Sequence, residues 1–157
     1  MSGKINYWLF KSEPTSFNID DLANSPKQTT HWDGIRNYQV RNMLRDDIKV
    51  GDLVFFYHSN AKPPGIAGIM KVVKAGYPDP SAWDKNDDHY DPKSSQANPR
   101  WYMVDVLFVK KFKQIISLDE LKSHAALKNM LVNNKGNRLS ITPVTAAEWN
   151  AILKLEK

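Results

Sequence analysis

The sequence predicts a small α+β fold, a barrel-like sheet of five or six strands in mixed order with short helices around it. Three observations carry this expectation. Runs rich in aromatic and β-branched residues recur at 6–11, 53–58, 65–74, 101–109 and 139–144, with the content and length of strands. The helix signals between them are few and short. No internal repeat, low-complexity tract or composition shift divides the 157 residues, so the chain reads as one domain, 1–157.

The first strand stops at Glu13-Pro14, and Asn18 caps a short helix through Leu22 that closes before Pro26. Residues 37–45 read as a helix with Val40, Met43 and Leu44 facing inward. Asn37 and Arg41, Tyr38 and Asn42, and Arg41 and Arg45 are neighbours on its surface. Before it, Asp33-Gly34 makes a turn that presents Trp32. The run 53–58 is almost wholly apolar, hence a central strand, and brings Tyr57, His58 and Ser59 to its C-terminal end. Residues 65–74 read as its antiparallel partner, where Gly65 and Gly68 permit a bulge or close approach of backbone or ligand.

The polar stretch 77–100 holds four prolines. Loops of that length are functional or disordered; Trp83, Tyr90 and the exit Pro99-Arg-Trp101 argue for one that is tied down. The strand at 101–109 is apolar on both faces apart from Asp105, which places it between layers or inside a barrel. Ser117 to Glu120 and Thr145 to Glu148 are capping boxes, with a further turn expected at 125–130. The second box opens a terminal helix that buries Trp149, Ile152 and Leu153.

Composition narrows the chemistry. Hydrophobic residues are 41% and charged residues 25%, ordinary for a soluble globular protein. No apolar run approaches the ~18 residues of a membrane span, and Met-Ser-Gly-Lys at the N-terminus lacks a signal-peptide core. Without cysteine there is no disulfide, thiol nucleophile or thiolate metal site. A monomeric cytoplasmic protein without membrane contact is expected. The net charge of +5 is uneven: 79–91 holds five aspartates and one lysine, net −4, so the remainder carries +9. Arg36, Arg41 and Arg45 form one basic group, and Lys110, Lys111 and Lys113 another. On charge alone, a phosphate-attracting face and a solvated lysine-rich exterior remain alternatives.

Neither His31, His58, His89 and His124 nor the aspartates of 84–91 follow a metal-ligand spacing, so no metal is expected. Glycine-rich phosphate loops are absent, and no cofactor is expected. His58 and Ser59 are adjacent and point to opposite faces of a strand. Lys11, Ser12 and Glu13 offer an amine, a hydroxyl and a carboxylate, a trio that could activate a nucleophile but also arises by chance. Trp149 fits the core and Trp8 is ambiguous, whereas Trp32 and Trp101 sit beside polar residues at the mouths of regular elements. An aromatic plate ringed by amides and hydroxyls suits a flat, hydrogen-bonding ring. Stacking one base on it is worth about 1–3 kcal/mol.

Six motifs then fall in order along nearly the whole chain: Tyr7-Trp-Leu-Phe-Lys-Ser-Glu-Pro14, Trp32-Asp-Gly-Ile-Arg-Asn-Tyr-Gln-Val-Arg-Asn42, Gly51-Asp-Leu-Val-Phe-Phe-Tyr-His-Ser-Asn60, Gly65-Ile-Ala-Gly68, Tyr90-Asp-Pro-Lys-Ser94 and Pro99-Arg-Trp101. Together they resemble the EVE domain. The resemblance implies a PUA-like fold and kinship with the YTH, PUA and ASCH modules. It further implies a non-enzymatic reader of a modified base, extruded from DNA or RNA. On this likeness the pocket is walled by Trp32 and Trp101. Its polar contacts come from Lys11, Ser12, Asp33, Asn37, His58 and Ser59, beside Tyr57, while Arg36, Arg41 and Arg100 hold flanking phosphates. The alternative is an ASCH-like amidohydrolase of modified nucleosides using Lys11, Ser12 and Glu13; the position of Glu13 before Pro14 argues against it. A protein-interaction adaptor is a third reading.

Overall fold

Alternation along each strand sorts the apolar residues onto two faces of one sheet. The computed structural model describes residues 5–133 and 139–156; the N-terminal Met-Ser-Gly-Lys lies outside them. The strands are β1 (Tyr7–Ser12), β2 (Thr29–Trp32), β3 (Leu53–His58), β4 (Gly65–Pro78), β5 (Tyr102–Ser117) and β6 (Ile141–Val144), in the order β2-β5-β4-β3-β1-β6. Among the described strands, only β1 and β3 pair in parallel. This is the mixed sheet with short helices that the sequence implied, and it is open, with β2 and β6 at its edges.

A parallel pair requires a crossover. Here the crossover between β1 and β3 carries α1 (Ile19–Ala23), β2 and α2 (Tyr38–Asn42). Trp8 and Phe10 of β1 and Val54 and Phe56 of β3 form one apolar face with Trp32, covered by Ile19, Leu22, Val40 and Leu44. The intervening Leu9, Phe55 and Tyr57 form the other face, covered by Leu121 of α3 (Leu118–Lys122) and Trp149 and Ile152 of α4 (Ala146–Leu153). Trp149 is a core residue, stacked on Phe55 with ring centroids 3.8 Å apart.

The helix termini follow local sequence. Asn18 with Asp21 and Thr145 with Glu148 form reciprocal capping boxes, and Ser117 caps α3 by accepting from the Glu120 amide. Asn37 is the N-cap of α2 rather than part of it, and a π-turn over Met43–Asp47 extends the helix to Asp47. β4 and β5 run beyond the expected 74 and 109. Each supplies the other's hydrogen bonds where apolar content has already faded, with register shifts that include one between Ile66 and Gly68. A Cβ on Gly68 would run into the Lys110 carbonyl, so the close approach there is strand to strand.

Asp52, only 2% exposed, pins the start of β1 to the turn before β3. Its carboxylate accepts from the Asn6 amide at 3.1 Å, the Trp8 indole N–H at 2.9 Å and the Lys49 amide at 2.9 Å. Asp52→Ala strands these donors and is expected to cost about 3 kcal/mol. Urea unfolding should show a lower midpoint with an unchanged m-value.

Candidate functional site

The Gly34 turn and the acidic loop meet at one buried carboxylate. Gly34 has φ +77°, and a side chain there would strike the His89 ring at 2.8 Å. Its amide donates to Asp79 Oδ2 at 2.9 Å. Asp79, fully buried, also accepts from the Ser81 amide at 2.9 Å, the Ser81 hydroxyl at 2.6 Å and Arg36 Nη1 at 3.3 Å. Burial alone would raise this carboxyl; the bonds from Ser81, Gly34 and Arg36 outweigh it and hold it below the usual carboxylate range. Arg36 also donates from Nε and Nη2 to the His89 carbonyl, from Nη1 to its neighbour Ile35 and from Nη2 to Ser81. All five of its N–H groups are thereby committed to the fold.

The turn and β2 close one side of a cavity of about 290 Å³ lined by Lys11, Ser12, Phe17, Thr30, His31, Trp32, Asp33 and Ile35. That volume is at the small end of the about 300–1,000 Å³ usual for small-molecule sites. Trp32 is 8% exposed and packs among Phe10, Phe17 and Phe56. The indoles of Trp8 and Trp101 donate to Asp52 and Asp91, whereas the indole of Trp32 has no partner among the described residues. Ser12 Oγ donates to the Phe17 carbonyl at 2.6 Å, which leaves its lone pairs to accept. Burial pulls the Lys11 ammonium below the ordinary lysine value. Burial, then repulsion from Asp79, raises the Asp33 carboxyl. The cavity thus offers an apolar wall, an uncommitted N–H and acceptor oxygens.

Lys11, Ser12, Trp32 and Asp33 are therefore brought together, and the other expected contacts lie elsewhere. Tyr57 is turned by strand alternation to the opposite face, where burial pushes its phenol up to about 12. His58 is buried with Nε2 accepting from the Ile19 amide at 3.2 Å, and burial lowers it from the ordinary histidine value. The Ser59 amide donates to the Ser12 carbonyl at 3.0 Å, and the Asn37 side chain caps α2. Trp101 stacks on Tyr38 at 4.7 Å, beneath Arg36 at 5.5 Å, with its N–H on Asp91 at 2.7 Å; it does not line the cavity. Phe17 and Thr30 were not singled out by sequence; His31 was weighed only as a metal ligand, and Ile35 carried a signal through its place in the motif that begins at Trp32.

Arg41 lies 4.9 Å over Tyr38 and donates to the Asn42 side chain and the Arg100 carbonyl. Arg100 is 3.9 Å from Asp91. Lys110 and Lys111 are paired with Glu156 and Asp20. His31 turns its ring away from Trp32 to Asp105 Oδ1, 2.8 Å from Nδ1, where the Tyr77 hydroxyl also donates. A larger cavity of about 600 Å³ between 5–8, 46–49 and 143–146 holds groups already bonded, the Trp8 indole and the Thr145 cap among them. No metal-competent cluster of His, Asp or Glu occurs among the described residues, and no described helix is long and apolar enough to cross a membrane.

The sequence model of the EVE domain matches residues 6–155. The chain belongs to the EVE domain family. This EVE domain is 51% identical to rat thymocyte nuclear protein 1 over 169 residues, covering 97% of the chain and 74% of the relative. Human THYN1 protein, solved in complex with DNA containing 5-methylcytosine, superposes with a TM-score of 0.90 at 50% identity, covering 97% of this chain and 98% of that one. A hypothetical protein from Leishmania major superposes equally well, at 0.90 and 47% identity, over 97% and 94% of the two chains. An ASCH protein from Zymomonas mobilis shares the fold alone, with a TM-score of 0.56 at 11% identity over 97% and 99%.

The Asp79 network generates a test. Arg36→Ala should destabilise this EVE domain by about 3 kcal/mol in urea unfolding, because it removes a partner from a buried carboxylate. Arg36→Lys should recover little, having three donors and no planar fork. The folded-state value of Asp79 lies below its unfolded value of about 3.9. Its contribution is therefore complete above about pH 4 and is withdrawn as the pH falls through the folded value. Asp79→Asn should flatten that acid limb in a stability–pH profile.

Proposed function

We propose that this EVE domain is a non-enzymatic reader that holds one modified base, extruded from nucleic acid, in the cavity lined by Trp32. The observation that carries the reading is that cavity: an aromatic and aliphatic wall of Trp32, Phe17 and Ile35 beside the polar Lys11, Ser12, Thr30 and Asp33. The methylcytosine DNA in the complex of human THYN1, a half-identical relative, supports it. Extruding a base costs a few kcal/mol. Burial against Trp32 and hydrogen bonds to the base edge, with the indole N–H as donor and Ser12 Oγ as acceptor, offset that cost. A methyl group is sensed by fit against Phe17 and Ile35. DNA is the favoured partner, with RNA as the comparison.

Phosphate contacts fall to Arg41 and Arg100, whose guanidinium groups keep donors to spare; Arg36 orients the loop beside them. These contacts add affinity without sequence information and weaken as salt rises. The hydrolase reading gains nothing from the geometry, since the Ser12 proton is directed to the Phe17 carbonyl.

A fluorescence-anisotropy screen tests the proposal, using short DNA and RNA oligonucleotides that each carry one modified base, at low and moderate salt. Wild type should prefer one modified base over its parent by at least about tenfold. Ile35→Trp, which fills the cavity, should lose that preference and keep the salt-sensitive component. Trp32→Ala is a poorer probe, since removing a buried tryptophan costs about 3–5 kcal/mol of stability. Equal binding of every oligonucleotide by wild type and Ile35→Trp would reduce the protein to a basic surface.

A further inference from the structure

The fold leaves one buried histidine without a role in contacting a base. His58, at the end of β3, is 8% exposed and is not part of the cavity lining. Its Nε2 accepts the Ile19 amide at 3.2 Å. A backbone N–H cannot accept, so the ring is held as the neutral tautomer with its proton on Nδ1. Ile19 opens α1, two residues after Phe17, which lines the cavity. The intervening Asn18 caps the helix, and the Phe17 carbonyl is held by Ser12, the residue that pairs with His58 across β1 and β3. One short segment is thus tied to the sheet at two points: Ser12 on Phe17, and His58 on Ile19.

We propose that His58 is a positioning residue for the proposed base site: its Nε2 lone pair sets the Phe17 wall through Ile19, and protonation of the ring releases that wall. The inference rests on the reading of the cavity as a base pocket. A protonated imidazole presents N–H at both nitrogens, so the bond from the Ile19 amide is replaced by two donors facing each other. The charged groups that act on the ring are Asp20 of α1 and Lys111 of β5, themselves ion-paired at 2.8 Å. The Phe56 ring lies edge-on, 5.5 Å from the imidazole. Burial is the main influence on the ring and keeps it neutral; Asp20 favours the charged form and Lys111 opposes it. A folded-state value below the unfolded value of about 6.5 means that stability is complete above about pH 6.5 and is lost as the pH falls through the folded value. Acidification therefore loosens the Phe17 wall even as added positive charge strengthens non-selective binding. Selectivity, not affinity, is the quantity to follow.

The experiment measures binding of two DNA duplexes, identical except for one 5-methylcytosine, from about pH 5 to pH 8. Amide hydrogen exchange at Ile19 is recorded in parallel on the full chain without DNA. Wild type should lose about fivefold to tenfold of its selectivity on acidification, the effect of one hydrogen bond, together with Ile19 protection. His58→Gln, whose amide oxygen accepts the same N–H, should keep both and lose the pH dependence. His58→Ala should lose both at every pH while retaining salt-sensitive binding. Unaltered Ile19 protection in His58→Ala would overturn the proposal whatever the binding shows. A folded His58→Gln that binds like His58→Ala, with Ile19 still protected, would also overturn it and make His58 a direct base contact. If Ile19 protection follows His58 as expected but wild type never discriminates the duplexes, the tie between His58 and the Phe17 wall stands and the methylcytosine-reader function fails.

Discussion

The Asp79 carboxylate is the constraint on which the site depends. A polar stretch as long as 77–100 has too little apolar surface to order itself. Asp79 accepts from the Gly34 turn, from Ser81 in its own loop and from Arg36 ahead of α2. The cluster joins two segments more than forty residues apart, 34–36 and 79–81, at one buried carboxylate. A buried charge pair is weak evidence for net stability; what this one does is hold the Gly34 turn, Ser81 and Arg36 to one carboxylate at once. The turn so fixed aims Asp33 at the cavity and leaves no room for a side chain at Gly34.

Around that lock, the molecule uses its two-faced sheet to separate support from site. The crossover required by the parallel β1 and β3 lays the most chemically dense stretch of sequence over one face. The opposite face is closed by α3, α4 and the stacked rings of Phe55, Tyr7 and Trp149. Arg36, Trp101, Tyr38 and Arg41 form a run of cation–π and stacked contacts beside the cavity. Tyr38, 51% exposed, keeps that run at the surface.

Much of this was legible in the chain. Five of the six strand positions, the caps at Asn18, Ser117 and Thr145, the buried Trp149 and the inward Val40 and Leu44 follow from short-range pattern alone; the edge strand β2, held by pairing with β5, was not read, and Leu153, expected in the core, is 36% exposed. The tying down of the long loop was also readable, though its anchors are Asp79, Asp91 and Trp101; Tyr90 remains 38% exposed. The extra lengths of β4 and β5 were not, because cross-strand bonding sustains them where side-chain pattern no longer does.

For the site, the sequence determined which residue types gather between Trp32 and Arg45 and at Lys11-Ser12, since turn chemistry and strand spacing are local. It determined the family as well, through six motifs in order. Only the tertiary structure decided which of those residues share a cavity. Strand parity carried Tyr57 to the far face, a backbone amide claimed His58, and the five donors of Arg36 were taken by groups more than forty residues away or by its own neighbour. Phe17 reached Trp32 from a segment that nothing local relates to it, and Thr30 lines the same cavity because 29–32 is a strand, which the sequence did not show. The physical reason is that a hydrogen-bond donor is spent on the nearest acceptor in space, and nearness in space is set by sheet topology rather than by order along the chain.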